Sequence, residues 1–477
     1  MSSPELRWRM ARVLGVSAAL LVPLFWVPRI MAGDLLSHVY NAWLSLELKR
    51  QPVPGLVTAW QYSNVLVDWV LTGLMEVLGP VWAERLTVAV CVLVFFWGAF
   101  AFLAEVSGRA PTHLIPVLAV LAYGWVFHMG FFNFYASLGM CLLALALLRR
   151  RSGWARGLAL GLGGLAVLAH PHPVLAAVCF AGYRALAERL TPRRRAGLFS
   201  LSVVGLAVVP LVLRRLTRTM WDPEQFFNAL GVDQAWVFGR AFGWVSLGLL
   251  GVWGVWLVRR IREEGGRAFV ERPEVQLYAL GVVAVVALPT AVVMPDPPVV
   301  LSFIAERLSL WVAVVGWAVV GAVVPRRSEV VLVSAVAVLF FGLLLREHRA
   351  LYRMEKDMGQ VLEQLPPGQR VVWVAPLRDE RVPALLHLID RACIGRCYSY
   401  ANYEPPTRVF RVRATGPNPW VMHRYEDVVA ALQGEYVVQA QDAPVWALRA
   451  CSGGRLVLGG PLREGELARP RCPSERP

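Results

Sequence analysis

Apolar runs recur along the chain to about residue 345, separated by short segments rich in arginine and proline. About 20 consecutive apolar residues cross a bilayer core, so the pattern predicts a polytopic helical membrane protein. The first run, from about Val13 to Val27, follows Arg7, Arg9 and Arg12 and ends at Pro28-Arg29. Its basic start resembles a signal sequence, but no small-x-small cleavage site follows, so we read it as a retained signal anchor with a cytoplasmic N-terminus. Further spans are expected at about Trp82 to Ala104, His113 to His128, Phe132 to Leu148, Gly157 to Leu168 and Val174 to Ala187. Others follow at about Phe199 to Leu213, Trp244 to Val258, Leu277 to Met294, Leu308 to Val324 and Val330 to Leu345. The short Gly157 run joins its successor through a bend at Pro171 and Pro173, and the total is about eleven spans.

Two stretches break the rule of continuous hydrophobicity. Residues 33–79 are too polar to cross lipid, yet apolar residues recur at helical spacing over about Leu35 to Arg50 and Asn64 to Leu78, with Pro52, Pro54 and Gly55 between them. That pattern predicts two interfacial helices in a first outer loop. From about Arg349 onward charges become regular and prolines frequent, Gln369 to Ala375 reads as a buried strand, and Val382 to Ile389 reads as helical. Strands are expected again near Tyr436 to Gln439 and Val445 to Leu448. The expected fold is an all-α membrane domain over residues 1–348 with a small C-terminal α/β soluble domain over 349–477.

Composition supports the membrane class: 57% of the 477 residues are hydrophobic and 17% charged. The net charge of +15 does not indicate nucleic acid, because the arginines cluster in the loops between apolar runs. With the N-terminus inside, alternate loops carry Arg109, Arg149 to Arg151, Arg193 to Arg195, Arg259, Arg260 and Arg262, and Arg326-Arg327 on the cytoplasmic side. Arg214, Arg215 and Arg218 fall outside instead, signalling a miscounted span or an anionic-ligand site. The C-terminal domain is then extracytoplasmic, at the plasma (inner) membrane. Four of the seven cysteines, Cys393, Cys397, Cys451 and Cys472, lie there, as expected of disulfides in an oxidising compartment, with three connectivities open.

The same count gathers Asp34, His38, Asn64, Asp68, His128, Asn133, His170, His172, Asp222, Glu224, Asp296, Glu306 and Arg307 at the outer end of the membrane. Spanning alone does not require such groups on one face. Asp34, the first carboxylate beyond the first span, is a candidate functional group, although aspartate is also a preferred helix cap. A carboxylate there can act as general base on an acceptor hydroxyl attacking an activated sugar carbon. Arg307, His170 or His172 would stabilise a departing phosphate. The His170-Pro171-His172-Pro173 run also reads as a kinked outer turn, and Phe131 to Tyr135, around Asn133, as an aromatic belt. Glu306-Arg307 reads equally as a structural ion pair or a phosphate contact. The chain holds no GxxxxGK[ST], GxSxG or HExxH motif. Nucleotide-driven pumps, α/β-hydrolases and zincins are therefore disfavoured, and no nucleotide cofactor is expected.

A first span followed at once by Gly33-Asp34, His38 a turn later, a long outer loop with two surface helices, about eleven spans and an outward α/β domain resemble the GT-C glycosyltransferases. The resemblance covers the chain at the level of architecture. It implies a lipid-linked sugar donor and Asp34 as the catalytic residue, and the leading expectation is transfer from a polyprenyl-phosphate-linked sugar to an extracytoplasmic acceptor with Asp34 as general base. The topology count, rather than the resemblance, supplies the expected substrate-binding residues: His38, Asp68, His128, Asn133, His170, His172, Glu306 and Arg307. The chain departs from the commoner pattern because Leu35 and Leu36, not a second acid, follow Asp34. Dependence on a divalent metal is thereby left open, with Asp68 and Glu76 as substitute carboxylates. Rival readings are a transporter or flippase of lipid-linked saccharide, which predicts intramembrane charges and repeats, and a non-catalytic envelope scaffold.

Overall fold

The computed structural model describes residues 3–150, 152–295, 298–375 and 381–473. Arg151 and Asp296 lie outside the described residues. The chain is 65% helical, with a few small sheets. It forms two compact units: Met1–Val22, Ala89–Phe127 and Phe132–Leu344 make one, and Pro23–Val88, His128–Phe131 and Leu345–Pro477 the other.

Among the described residues, five helices are long and apolar enough to cross a membrane: Leu66–Ser107, Thr112–Met129, Pro192–Leu216, Ala241–Glu264 and Arg327–Leu362. Shorter apolar helices cover Met10–Leu24, Phe132–Leu148, Gly153–Ala169 and Pro273–Ala287. Each apolar run noted in the sequence is thus at least partly helical. In the first unit, glycine lets two backbones meet: a Cβ on Gly139 would lie 2.6 Å from the Cα of Phe95.

One run ends earlier than its hydropathy suggests, and another is interrupted. The Pro273–Ala287 helix stops because Leu288, which precedes Pro289, is extended at ψ 144°. The β-branched residues beyond form the Ala291–Pro295 strand, between Arg218–Met220 and Pro298–Leu301 in an antiparallel three-stranded sheet. The second break is at Tyr123-Gly124, where the helices Ile115–Ala122 and Trp125–Met129 part. A Cβ on Gly124 would approach the Gln234 carbonyl to 2.7 Å.

In the second unit the Gly33–Arg50 helix ends at Gln51, ahead of Pro52. The next helix begins at Leu66 and is kinked at Gly79 (φ 75°, ψ 171°), just before Pro80. Twelve residues of the Gly33–Arg50 helix are buried, Ser37, Asn41 and Ser45 among them. The polar positions Ser37, Asn41 and Ser45 of this helix therefore meet protein. The C-terminal sheet has strand order Cys397–Ser399, Gln369–Val374, Val445–Ala450 and Leu456–Leu462, the last pairing antiparallel. The Tyr425–Gln433 helix covers it through Val428 and Ala431, which share a core with Val372 and Ala447. Helix in the Val382 region is confined to Leu388–Ala392, and the Tyr436 segment makes one bridge, Val437 to Leu467. The cysteines pair as Cys393–Cys397 and Cys451–Cys472.

Candidate functional site

The Gly33–Arg50 helix carries Asp34 in its first turn and His38 one turn later, so both project from one face. The start of this helix is held from two sides within its unit. Gly130 (φ +84°) packs its backbone onto the Asp34 and Leu35 amides, a position where a Cβ would lie 2.7 Å from the Asp34 nitrogen. From the other side Arg391 grips the residues just before Asp34. Its guanidinium donates to the Ile30 carbonyl at 2.6 Å and to Glu84 at 2.7 Å, and forms a fork on Glu355 at 2.8 and 2.6 Å. Burial works against the Arg391 charge, but the two carboxylates outweigh it and push its pKa above the ordinary value.

Asp34 faces His387, whose Nε2 lies 3.5 Å from Asp34 Oδ1. The other ring nitrogen of His387 lies 3.1 Å from Asp390 Oδ2, and the opposite Asp390 oxygen accepts the Ser399 hydroxyl at 2.5 Å. Burial alone would lower the pKa of His387, but hydrogen bonding and charge from Asp390, with Asp34 and Glu404 behind, raise it. A protonated imidazole donates from both nitrogens, so one ring orients Asp34 while Asp390 orients the ring.

His38 forms a second centre. Its Nδ1 lies 3.0 Å from Asp68 and 3.5 Å from Glu404, and the Ser37 hydroxyl donates to Glu404 at 2.8 Å. Burial would depress the His38 pKa, but Asp68 and Glu404 lift it to about 10. Burial raises Glu404 to about 7 against the opposing charge of His38. Asn41 and Asn402 exchange amide hydrogen bonds, at 2.9 and 3.4 Å, and Asn402 Oδ1 accepts the Glu404 N–H at 3.1 Å. Thus the buried polar stripe of the helix fixes the turn that presents Glu404. Tyr403 packs its ring on His387, 5.0 Å between centroids, and on Phe410 at 5.6 Å. A narrow pocket lined by Asn41, Ser45, Gln61, Asn64, Asp68, Glu404 and Arg411 lies beside the second centre. Among the described residues no group of three or more His, Cys, Asp or Glu side chains is set to hold a metal ion.

His128 belongs to the same unit but serves a different buried chain. Trp26 Nε1 donates to His348 Nδ1 at 3.0 Å, which leaves the proton of that ring on Nε2, 2.9 Å from His128 Nε2. His348 therefore donates and His128 accepts. Asn133, His170, His172, Glu306 and Arg307 belong to the first unit. There His170 caps the Pro171–Ala187 helix by accepting the His172 N–H at 3.2 Å, and Phe134 lies 5.6 Å from each ring. Glu306 accepts the Thr290 hydroxyl at 2.5 Å. Asn133 is buried in the first turn of the Phe132–Leu148 helix.

His387, Asp390, Tyr403 and Glu404 are the functional candidates that sequence reasoning missed. They follow Asp34 by some 350 residues and carry no spacing motif. The one local hint was His387 within the apolar Val382 to Ile389 stretch. Comparison of the chain with protein-family models, curated proteins and solved structures yields no match.

Proposed function

We propose that the protein is an integral-membrane glycosyltransferase of the GT-C type, with Asp34 as general base. In this reading about eleven helices cross the plasma (inner) membrane, the N-terminus is cytoplasmic and the C-terminal module extracytoplasmic. The donor is a sugar on a polyprenyl phosphate. The acceptor hydroxyl gives its proton to the Asp34 carboxylate as its oxygen bonds the anomeric carbon. The bond from that carbon to the phosphate oxygen breaks, and its electron pair leaves with the lipid phosphate. His387 is a positioning residue that holds Asp34 and is held by Asp390.

The observation that carries this reading is the exposure of Asp34 within an otherwise enclosed acid–imidazole network. Its side chain is 26% exposed, against 7% for His387, 3% for Asp390 and 4% for Glu404. Asp34 is thus the group of the network best able to meet a substrate. Transfer from purified polyprenyl-phosphate sugar by the protein in nanodiscs tests the assignment. Asp34→Asn should lower turnover about 100-fold or more with an unchanged melting temperature. Wild-type turnover in that variant would remove Asp34 from the mechanism.

A further inference from the structure

The Pro192–Leu216 helix is strongly apolar along most of its length, and almost none of that apolar stretch is buried. Its side chains therefore face outward along nearly the whole length, as those of a lipid-facing helix do. At its C-terminal end come Arg214 and Arg215, followed by Arg218 at the start of the adjoining strand, all three exposed. Arginine is electrostatically favoured at a helix C-terminus, yet three within five residues exceed what capping needs. Among the described residues no carboxylate forms an ion pair with any of them. The acid nearest in sequence, Asp222, is used locally, accepting the Glu224 N–H at 2.9 Å.

The surroundings are those of a membrane interface. Arg214 lies 4.2 Å over the Trp221 ring, and Trp221 is anchored by donating to the Ala287 carbonyl at 3.1 Å. Leu216, Met220 and Phe226 beside them are 69%, 59% and 73% exposed. Guanidinium groups pair with phosphate oxygens in forks, and an aromatic ring with exposed apolar neighbours suits the glycerol and upper acyl region.

We infer that Arg214, Arg215 and Arg218, with Trp221, form a docking site for the phosphate headgroup of an anionic membrane lipid. The inference does not depend on the glycosyltransferase reading. Charge complementarity selects the occupant: a lipid phosphodiester satisfies the unpaired guanidinium groups while its tails cover the exposed apolar side chains.

The test uses the full chain in neutral detergent micelles, titrated with phosphatidylglycerol or phosphatidylcholine, with retained lipid counted by native mass spectrometry. Wild type should retain phosphatidylglycerol in preference to phosphatidylcholine, and millimolar inorganic phosphate should not displace it. R214Q/R215Q/R218Q should weaken the retained phosphatidylglycerol roughly 100-fold, about fivefold per arginine, at an unchanged melting temperature. Should the triple variant not fold, R215Q alone should show the roughly fivefold loss. Unchanged retention in the folded variants, equal retention of phosphatidylcholine, or displacement by inorganic phosphate would each overturn the site.

Discussion

Replacing Arg391 with methionine tests how the site is held together. The Arg391 side chain is fully buried, Glu84 is 1% exposed and Glu355 9%. Methionine keeps most of the volume but removes the cation from between two carboxylates and the fork from Glu355. It also leaves the Ile30 carbonyl, just before Asp34, without its guanidinium donor. Removing one partner of a buried ion pair costs about 3–5 kcal/mol. Set against a typical domain stability of about 5–15 kcal/mol, that loss exposes the unit to frequent opening. The cost is mainly that of stranded charge, so Glu84→Gln and Glu355→Gln added to Arg391→Met should recover most of it. Hydrogen exchange read by mass spectrometry over the Gln369–Val374 strand and the Leu388–Ala392 helix reports this opening directly. A loss below about 1 kcal/mol in Arg391→Met, or a triple variant no more stable than the single one, would show that the network does not bear on the fold as argued.

Further outcomes are expected. His38, raised to about 10, and Glu404, raised to about 7, both bind protons more tightly when folded than when unfolded. Stability should therefore fall as pH rises, first between the ordinary value of 4.5 and about 7 through Glu404, then between 6.5 and about 10 through His38. Melting temperatures across that range should lose the first slope in Glu404→Gln and the second in His38→Gln. Gly130→Ala should destabilise the unit by at least the roughly 1–3 kcal/mol of a strained backbone, because φ is +84° and the new Cβ meets the Asp34 nitrogen. The same variant should lose transfer activity in surviving folded protein; full activity would show that the start of the Asp34 helix need not be held. Serine at Cys451 and Cys472, which are 21 residues apart, should cost about 3 kcal/mol in denaturant unfolding under oxidising conditions. Reductant should then destabilise the variant less than the wild type, because only the Cys393–Cys397 bridge remains to be reduced.

Local pattern made the helices legible. The Phe132–Leu148 helix begins and ends where its apolar run does, and the Gln369–Val374 strand lies within the expected β-branched stretch. The break at Pro289 was missed because hydropathy does not register the extended conformation that a proline imposes on the residue before it. Asp34 and His38 stood out by position, as ionisable groups beside apolar runs. Arg391 did not, because a lone arginine in a charged segment has no feature that distinguishes a buried guanidinium from a solvated one.

Side-chain chemistry and hydrophobic period act over a few residues, and for that reason the sequence alone determined the helices apolar and long enough to cross a membrane and the prominence of Asp34. The partners of Asp34 and His38 were decided by tertiary structure alone. His387 and Glu404 reach them from a segment remote along the chain, and only packing of the second unit brings those groups within 3.5 Å. The burial that shifts their protonation likewise exists only once that packing has removed the polar stripe of the Gly33–Arg50 helix from water.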